Sequence, residues 1–340
     1  MPMPSVLSKI LRLLKWIGVV LLALLAGATL FGSIYEAVAR NRAHVTYKPH
    51  GLLVDIGGRK LHVDCRGVGS PTVILESGLD TNGSLAWEKI QDPISHLTRT
   101  CSYDRAGVMW SDPKVGAQDA DGVAQDLHAA LTAMGISGPL VLVCHSLGGP
   151  YVMDYTRKYG DTVKGLVFVD CSHPDQLTKL GVDKIPKGVP FLYKALDALA
   201  WTGILRLTPD ENPPGMPDRI KPIGKAYLGE TFGGSMKEMA SIEATFRESG
   251  ALRNLGDRPL VVLTAMQPFT QEARESIGLS IEEAKTLQTN WEKLNKDAAS
   301  WSTHSRQQSV PDSMHYIQFQ RPDLVIQAIT EVVNSVRDKN

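Results

Sequence analysis

Between Ile17 and Ile34 the chain is almost wholly apolar, interrupted only by small residues such as Thr29 and Ser33. As a helix that run spans roughly 27 Å, just enough for a bilayer core. Trp16 and Tyr35 flank it, as interfacial aromatics do, and Lys9, Arg12 and Lys15 precede it without any acid. The pattern predicts a basic cytoplasmic segment over residues 1–15 and a transmembrane signal-anchor over 16–35. The basic flank then places everything after Tyr35 outside the cytoplasm, in the periplasm if the source is bacterial. The rival reading is a cleaved signal peptide, for which Ala37-Val38-Ala39 has acceptable spacing. The apolar core of such a peptide is normally shorter, about 7–15 residues. A buried core helix would show a polar face. Residues 36–50 are polar and mixed, end near Pro49, and read as a linker.

Past residue 50 the apolar runs become short. Leu52 to Asp55, Gly57-Gly58 and Lys60 to Cys65 read as a β-hairpin. Thr72 to Glu76, Val141 to Cys144 and Gly165 to Asp170 read as buried strands, and Thr100 to Tyr103, Leu260 to Thr264 and Gln307 to Val310 as further strands. Helical spacing falls between them, over Ala120 to Met134, Tyr151 to Tyr159, Ser280 to Ala299 and Asp323 to Val336. This alternation predicts an α/β fold, a mostly parallel sheet with helices on both faces. Residues 172–255 break it: prolines separate amphipathic stretches around Leu192 to Leu207 and Met236 to Phe246, which predicts a helical cap. The core then divides into 51–171 and 256–340.

One serine stands between a predicted strand and a predicted helix, in Cys144-His145-Ser146-Leu147-Gly148-Gly149. A tight strand-to-helix turn strains its central residue and needs small neighbours. It lifts Ser146 Oγ clear of the sheet and leaves the Leu147 N–H at a helix N-terminus, free to hold an oxyanion.

Composition narrows the options. The chain has 340 residues, 43% apolar, with 36 basic and 36 acidic side chains. No basic stripe points to nucleic acid. The four cysteines form no CxxC pair, so a zinc site is not expected.

The strand–turn–helix around Ser146 looks like the nucleophile elbow, G-x-S-x-G, of the α/β-hydrolase superfamily, with Cys144 where glycine is usual. Ser77-Gly78-Leu79, Tyr103 to Ser111, Leu166 to Asp170 and His315-Tyr316-Ile317 extend the resemblance over residues 51–340. Together they resemble membrane-tethered bacterial serine hydrolases, which commonly read YDRAGxGWS and GHxI; Met109 and Met314 replace those two glycines. The resemblance implies the α/β-hydrolase fold and a catalytic triad of Ser146, His315 and a carboxylate in the chain order Ser, acid, His. Asp170, ending the strand after the elbow unit, is the candidate acid, and Glu272, beyond the strand after the cap, is its rival. The oxyanion donors it implies are the Leu79 and Leu147 N–H groups, with Gly78 and Gly148 making room. His145 reads as structural, His173 as a weaker base, and Asp104-Arg105 as a buried ion pair bracing the site loops. In this fold the strand ending at Cys65 runs antiparallel beside the one holding Cys101, which implies a disulfide between them. Cys144 and Cys171 are expected buried and reduced.

These readings point to a serine hydrolase of carboxylic esters, taking a small-molecule ester or lipid-like substrate, with no metal or cofactor implied. Serine at the elbow argues against epoxide hydrolases and haloalkane dehalogenases, which use aspartate there. Two alternatives remain open: a proline iminopeptidase-like aminopeptidase, whose substrate amine could be held by Asp210, Glu211 or Glu230, and a non-catalytic ligand-binding member of the fold.

Overall fold

The short apolar runs assemble into one eight-stranded sheet: β1 (Leu52–Asp55), β2 (Lys60–Arg66), β3 (Thr72–Glu76), β4 (Thr100–Tyr103), β5 (Leu140–His145), β6 (Val163–Val169), β7 (Leu260–Ala265) and β8 (Ser305–Val310). The spatial order is β1-β2-β4-β3-β5-β6-β7-β8. β1 pairs with β2 and β2 with β4 antiparallel; the remaining neighbours are parallel. The structure is a computed structural model and describes residues 5–181, 188–210 and 212–339.

Among the described residues the eight longer helices are α1 (Ser5–Thr46), α2 (Ala120–Ala133), α3 (Gly148–Tyr159), α4 (Phe191–Ala198), α5 (Lys221–Ala240), α6 (Ile242–Ser249), α7 (Ile281–Ala299) and α8 (Pro322–Asp338). The period-2 alternation of β5 decides the layers. Leu142 and Cys144 point to the face covered by Leu127 and Leu131 of α2 and Tyr155 of α3. Val141 and Val143 point to the opposite face, with Trp87 and with Ile329 and Val333 of α8. Every residue of β3 and β5 is buried, so side chains cover both faces of the central strands.

α3 begins at Gly148, three residues earlier than the spacing predicted. A Cβ on Gly148 would sit 2.8 Å from the carbonyl oxygens of Glu76 and Ser77, so only glycine lets this helix start against the end of β3. β8 likewise begins at Ser305, with polar side chains along an edge strand that hid its start from an apolar pattern.

Residues 36–50, expected as a linker, are helical as far as Thr46. The segment holds no proline or glycine before Pro49, and tertiary contacts give its polar residues partners. Glu36 pairs with Arg40 and Arg206, Arg40 donates to the Gly229 carbonyl, His44 meets Glu230, and Ala43 is buried. α1 is therefore one continuous helix whose apolar part projects from the molecule and whose last turns pack on α5. It is long and apolar enough to cross a membrane.

Cys65 and Cys101 form a disulfide at directly opposed positions of β2 and β4, with Cα atoms 4.0 Å apart. The bond closes a loop with a sequence separation of 36 residues. The chain-entropy relation gives about 3–4 kcal/mol for such a closure. Cys65→Ser with Cys101→Ser is expected to lose that much in denaturant unfolding, and equal midpoints for the double variant and the parent would refute it. Cys144 and Cys171 are buried and free.

Candidate active site

Strand β5 ends at His145, and the next residue, Ser146, takes a positive φ of 51°. Non-glycine residues adopt that conformation only where the surroundings enforce it. Here the Ser146 carbonyl accepts from Gly149 N at 3.0 Å and from Ser172 N at 2.8 Å, fixing the turn. A Cβ on Gly78 would lie 2.8 Å from Ser146 Cβ and 2.9 Å from His145 Nδ1, so glycine there keeps the face of the serine open.

The structure brings Ser146, His315 and Asp170 together. His315 Nε2 lies 2.8 Å from Ser146 Oγ, and His315 Nδ1 lies 2.6 Å from Asp170 Oδ2. A carboxylate can only accept, so it fixes the proton on Nδ1 and leaves the Nε2 lone pair facing the serine hydroxyl. Asp170 follows β6 with a positive φ of 48° and is nearly buried. Its Oδ1 accepts from the Ala265 N–H at 2.9 Å and from Trp291 Nε1 at 2.7 Å. Trp291, on α7, is absent from the sequence reading; no motif marks it. The rival acid Glu272 is exposed on a separate short helix.

His145 and His173 lie outside this chain of contacts. His145 is buried, and its Nε2 donates to the His315 carbonyl at 3.0 Å. Burial, and then the neighbouring His315, push it well below the ordinary imidazole range, so it stays neutral and braces the His315 loop. His173 is tied to Asp297 at 3.0 Å and to the Asp175 N–H.

Leu147 is the N-cap of α3, ahead of the first intrahelical bond. Leu79 follows the Ser77-Gly78 turn after β3 and packs in one cluster with Leu147. The brace of this turn differs from the expected Asp104–Arg105 pair. Arg105 donates to the Ser77 and Gly78 carbonyls, each at 2.7 Å, and pairs with Glu76 at 2.6 Å and with Glu238 of α5 at 2.7 Å. Asp104 instead accepts from His62 and from the Ser84 N–H. The two side chains diverge because adjacent residues at a strand end face different layers, and the helical insertion supplies the distant partner Glu238. Met109, where the resembling proteins carry glycine, keeps a positive φ of 47° and donates its N–H to Thr231 Oγ1. Met314 donates its N–H to Gln320 Oε1 at 2.8 Å.

A cavity of about 400 Å³ is lined by Leu79, which packs with Leu147, and by Tyr316, the neighbour of His315 in the chain. Its walls combine apolar side chains such as Leu196, Leu205, Leu228 and Phe232 with the ionisable Asp80, Asp210, Lys221 and Lys225. Loss of surrounding water pushes Asp80 up to about 6, against the pull of the Asn82 N–H. As pH rises through about 6, the wall therefore gains a negative charge at Asp80 for a neutral apolar substrate to meet. KM for such a substrate is expected to rise with pH through about 6, and Asp80→Asn to flatten the rise. An unchanged profile in that variant would discard Asp80 as the cause. The raised value also has a stability sign. Between the usual aspartate value and about 6 the folded state binds the extra proton, so this contribution to stability is lost as pH rises through that window.

The chain is 29% identical over 184 residues to the uncharacterized protein YbdG of Bacillus subtilis, covering 53% of this chain and 55% of that one. It is 30% identical over 117 residues to 2-(acetamidomethylene)succinate hydrolase of Mesorhizobium japonicum, covering 34% and 41%. It thus spans about half the length of these curated relatives. A thermophilic esterase from Thermogutta terrifontis superposes with a TM-score of 0.54 at 19% identity, covering 82% of this chain and 94% of that one, a likeness of fold. The family model described as "Alpha/beta hydrolase family" matches residues 22–328. With the sheet order and the strand–turn–helix at Ser146, that match makes this chain a member of the α/β-hydrolase family.

Proposed function

We propose that the protein is a membrane-anchored serine hydrolase that cleaves a carboxylic ester-like bond through an acyl-enzyme on Ser146. The observation that carries this reading is the unbroken chain from Asp170 through His315 to Ser146 Oγ. In it, Ser146 Oγ attacks the carbonyl carbon while His315 Nε2 takes its proton. The Leu79 and Leu147 N–H groups hold the oxyanion. Collapse of the tetrahedral intermediate expels the alcohol, which takes the proton back from His315. Water, activated by the same imidazole, then releases the acid and frees Ser146. Residues 172–255 serve as a cap over the acyl cavity.

The aminopeptidase alternative needs a carboxylate free to hold an amine. Asp210 is paired with Lys225, and Glu230 with His44. Glu211 lies outside the described residues. Labelling by a fluorophosphonate probe separates an enzyme from a ligand-binding member of the fold. A panel of p-nitrophenyl esters against prolyl amides separates the two enzymes: turnover of esters alone supports the proposal, and turnover of amides alone overturns it.

The anchor reading draws on α1 and its basic flank. Cleavage after Ala39 would remove Glu36, which holds both Arg40 and Arg206. A C-terminal reporter active only after export is expected to work, and intact protein is expected to resist alkaline extraction. A mature N-terminus near Arg40 would show cleavage instead.

A further inference from the structure

We propose that the exposed apolar stretch from Phe191 to Leu207 is a lipid-facing surface, seated in the interfacial layer of the bilayer that α1 crosses, and that the cavity behind it takes esters dissolved in that bilayer. The proposal rests on the membrane-spanning reading of α1 and carries it to the catalytic domain.

Depth is the first argument. Gly32 lies in the last turn of the uncharged run that ends near Ile34. Its backbone touches the stretch: a Cβ on Gly32 would be 2.3 Å from the Thr202 carbonyl oxygen, and one on Gly203 would be 3.3 Å from the Gly32 carbonyl oxygen. If α1 spans, Thr202 sits where the hydrocarbon gives way to headgroups. One turn further on, Glu36 is the first charge after the run, and it is met by Arg206 from the same stretch. Contacts of Arg40 and His44 with Gly229 and Glu230 then lock α1 onto α5, so the domain is held at a set height and tilt.

Composition is the second. Single exposed apolar side chains are ordinary on soluble proteins. Here Phe191, Leu192, Tyr193, Leu199, Trp201 and Leu207 are all exposed within one short stretch, Phe191 at 85% and Leu207 at 84%. A patch of this kind marks an interaction site. The Trp201 indole N–H is bonded to the Ala198 carbonyl, so the ring takes no unmet donor into an apolar layer. Lys194 is exposed beside them and long enough to reach headgroups.

The cavity is the third. Tyr193, Leu196 and Leu205 belong to this stretch and also line the cavity, and so does Leu79, which packs with Leu147, the residue after Ser146. One layer of protein therefore separates the lipid from the acyl pocket. Each CH₂ of an acyl chain favours leaving water, so lipophilic esters collect in the bilayer, and entry from there avoids drawing the chain back through water.

The test uses the full chain reconstituted in phosphatidylcholine vesicles. Nitroxide labels are placed by Leu24→Cys in the apolar run, Leu207→Cys in the stretch, and Val68→Cys at the far end of the sheet. Oxygen and a water-soluble nickel chelate serve as collision probes. Hydrocarbon-like access at 24, interfacial access at 207 and water-like access at 68 support the proposal. Water-like access at both 24 and 207 removes the anchor reading and the proposal together. Hydrocarbon-like access at 24 with water-like access at 207 overturns the lipid-facing surface alone, and so does spin–spin broadening at 207, which would assign the face to a second copy. The combined change Phe191→Ser, Trp201→Ser and Leu207→Ser is expected to lower hydrolysis of a vesicle-borne long-chain glycerol ester about tenfold while leaving p-nitrophenyl acetate untouched. Equal loss on both substrates overturns the proposal.

Discussion

Asp170→Asn is expected to lower kcat by about 10⁴ while leaving the fold intact. The asparagine carbonyl can still accept from Ala265 N and Trp291 Nε1, which hold the side chain in place. Its amide NH₂ then faces His315 Nδ1, where a donor meets a donor unless the imidazole shifts its proton to Nε2. That tautomer presents N–H to Ser146 Oγ and cannot take the hydroxyl proton. Ser146→Ala is expected to remove fluorophosphonate labelling and ester turnover, and His315→Ala to cost several orders of magnitude. Steady-state kinetics on a p-nitrophenyl ester, with circular dichroism to confirm folding, measures all three. Near-normal turnover in Asp170→Asn, with loss in Glu272→Gln, would move the acid to the other carboxylate.

What the chain shows on its face and what it hides divide along a physical line. The central strands of the sheet are continuous apolar runs, and the turn at Ser146 needs small residues next to one another, so both are visible in a few consecutive letters. Ser146, Asp170 and His315 each close a strand or follow one, and their meeting requires only the order of elements. Trp291 and the partners of Arg105 depend on how α7 and α5 dock, which no local pattern encodes. The same reason explains residues 36–50. Their polarity resembles a linker, but Glu36, Arg40 and His44 find partners 170 or more positions away, at Arg206, Gly229 and Glu230. Met109 is a milder case. It occupies a backbone conformation suited to glycine, and its burial among Tyr227 and Phe319 offsets some of the strain.

Arg105→Ala is expected to destabilise the domain by about 3–5 kcal/mol, the range for removing one partner of a buried ion pair. Arg105, Glu76 and Glu238 are almost wholly buried, and the single guanidinium stands between two carboxylates. Burial already pushes Glu76 above the ordinary carboxylate range, with Arg105 opposing it, so without the guanidinium both acids face each other in a dry interior. Gln118 and Tyr103 donate to them but carry no charge. A loss of this size lowers Tm by roughly 5–15 °C. Glu238→Gln removes one of the two negative charges and leaves Arg105 paired with Glu76, so its change should be much smaller. Arg105→Lys separates stability from chemistry. A lysine keeps the charge but not the planar fork that reaches Glu238 and the Ser77 and Gly78 carbonyls together. Those two carbonyls orient the turn that carries the Leu79 N–H, so kcat should fall in Arg105→Lys with KM held. Thermal unfolding within 2 °C of the parent in Arg105→Ala would refute the stability account. Unchanged kcat in Arg105→Lys would refute the link from Arg105 to the proposed oxyanion donor, the Leu79 N–H.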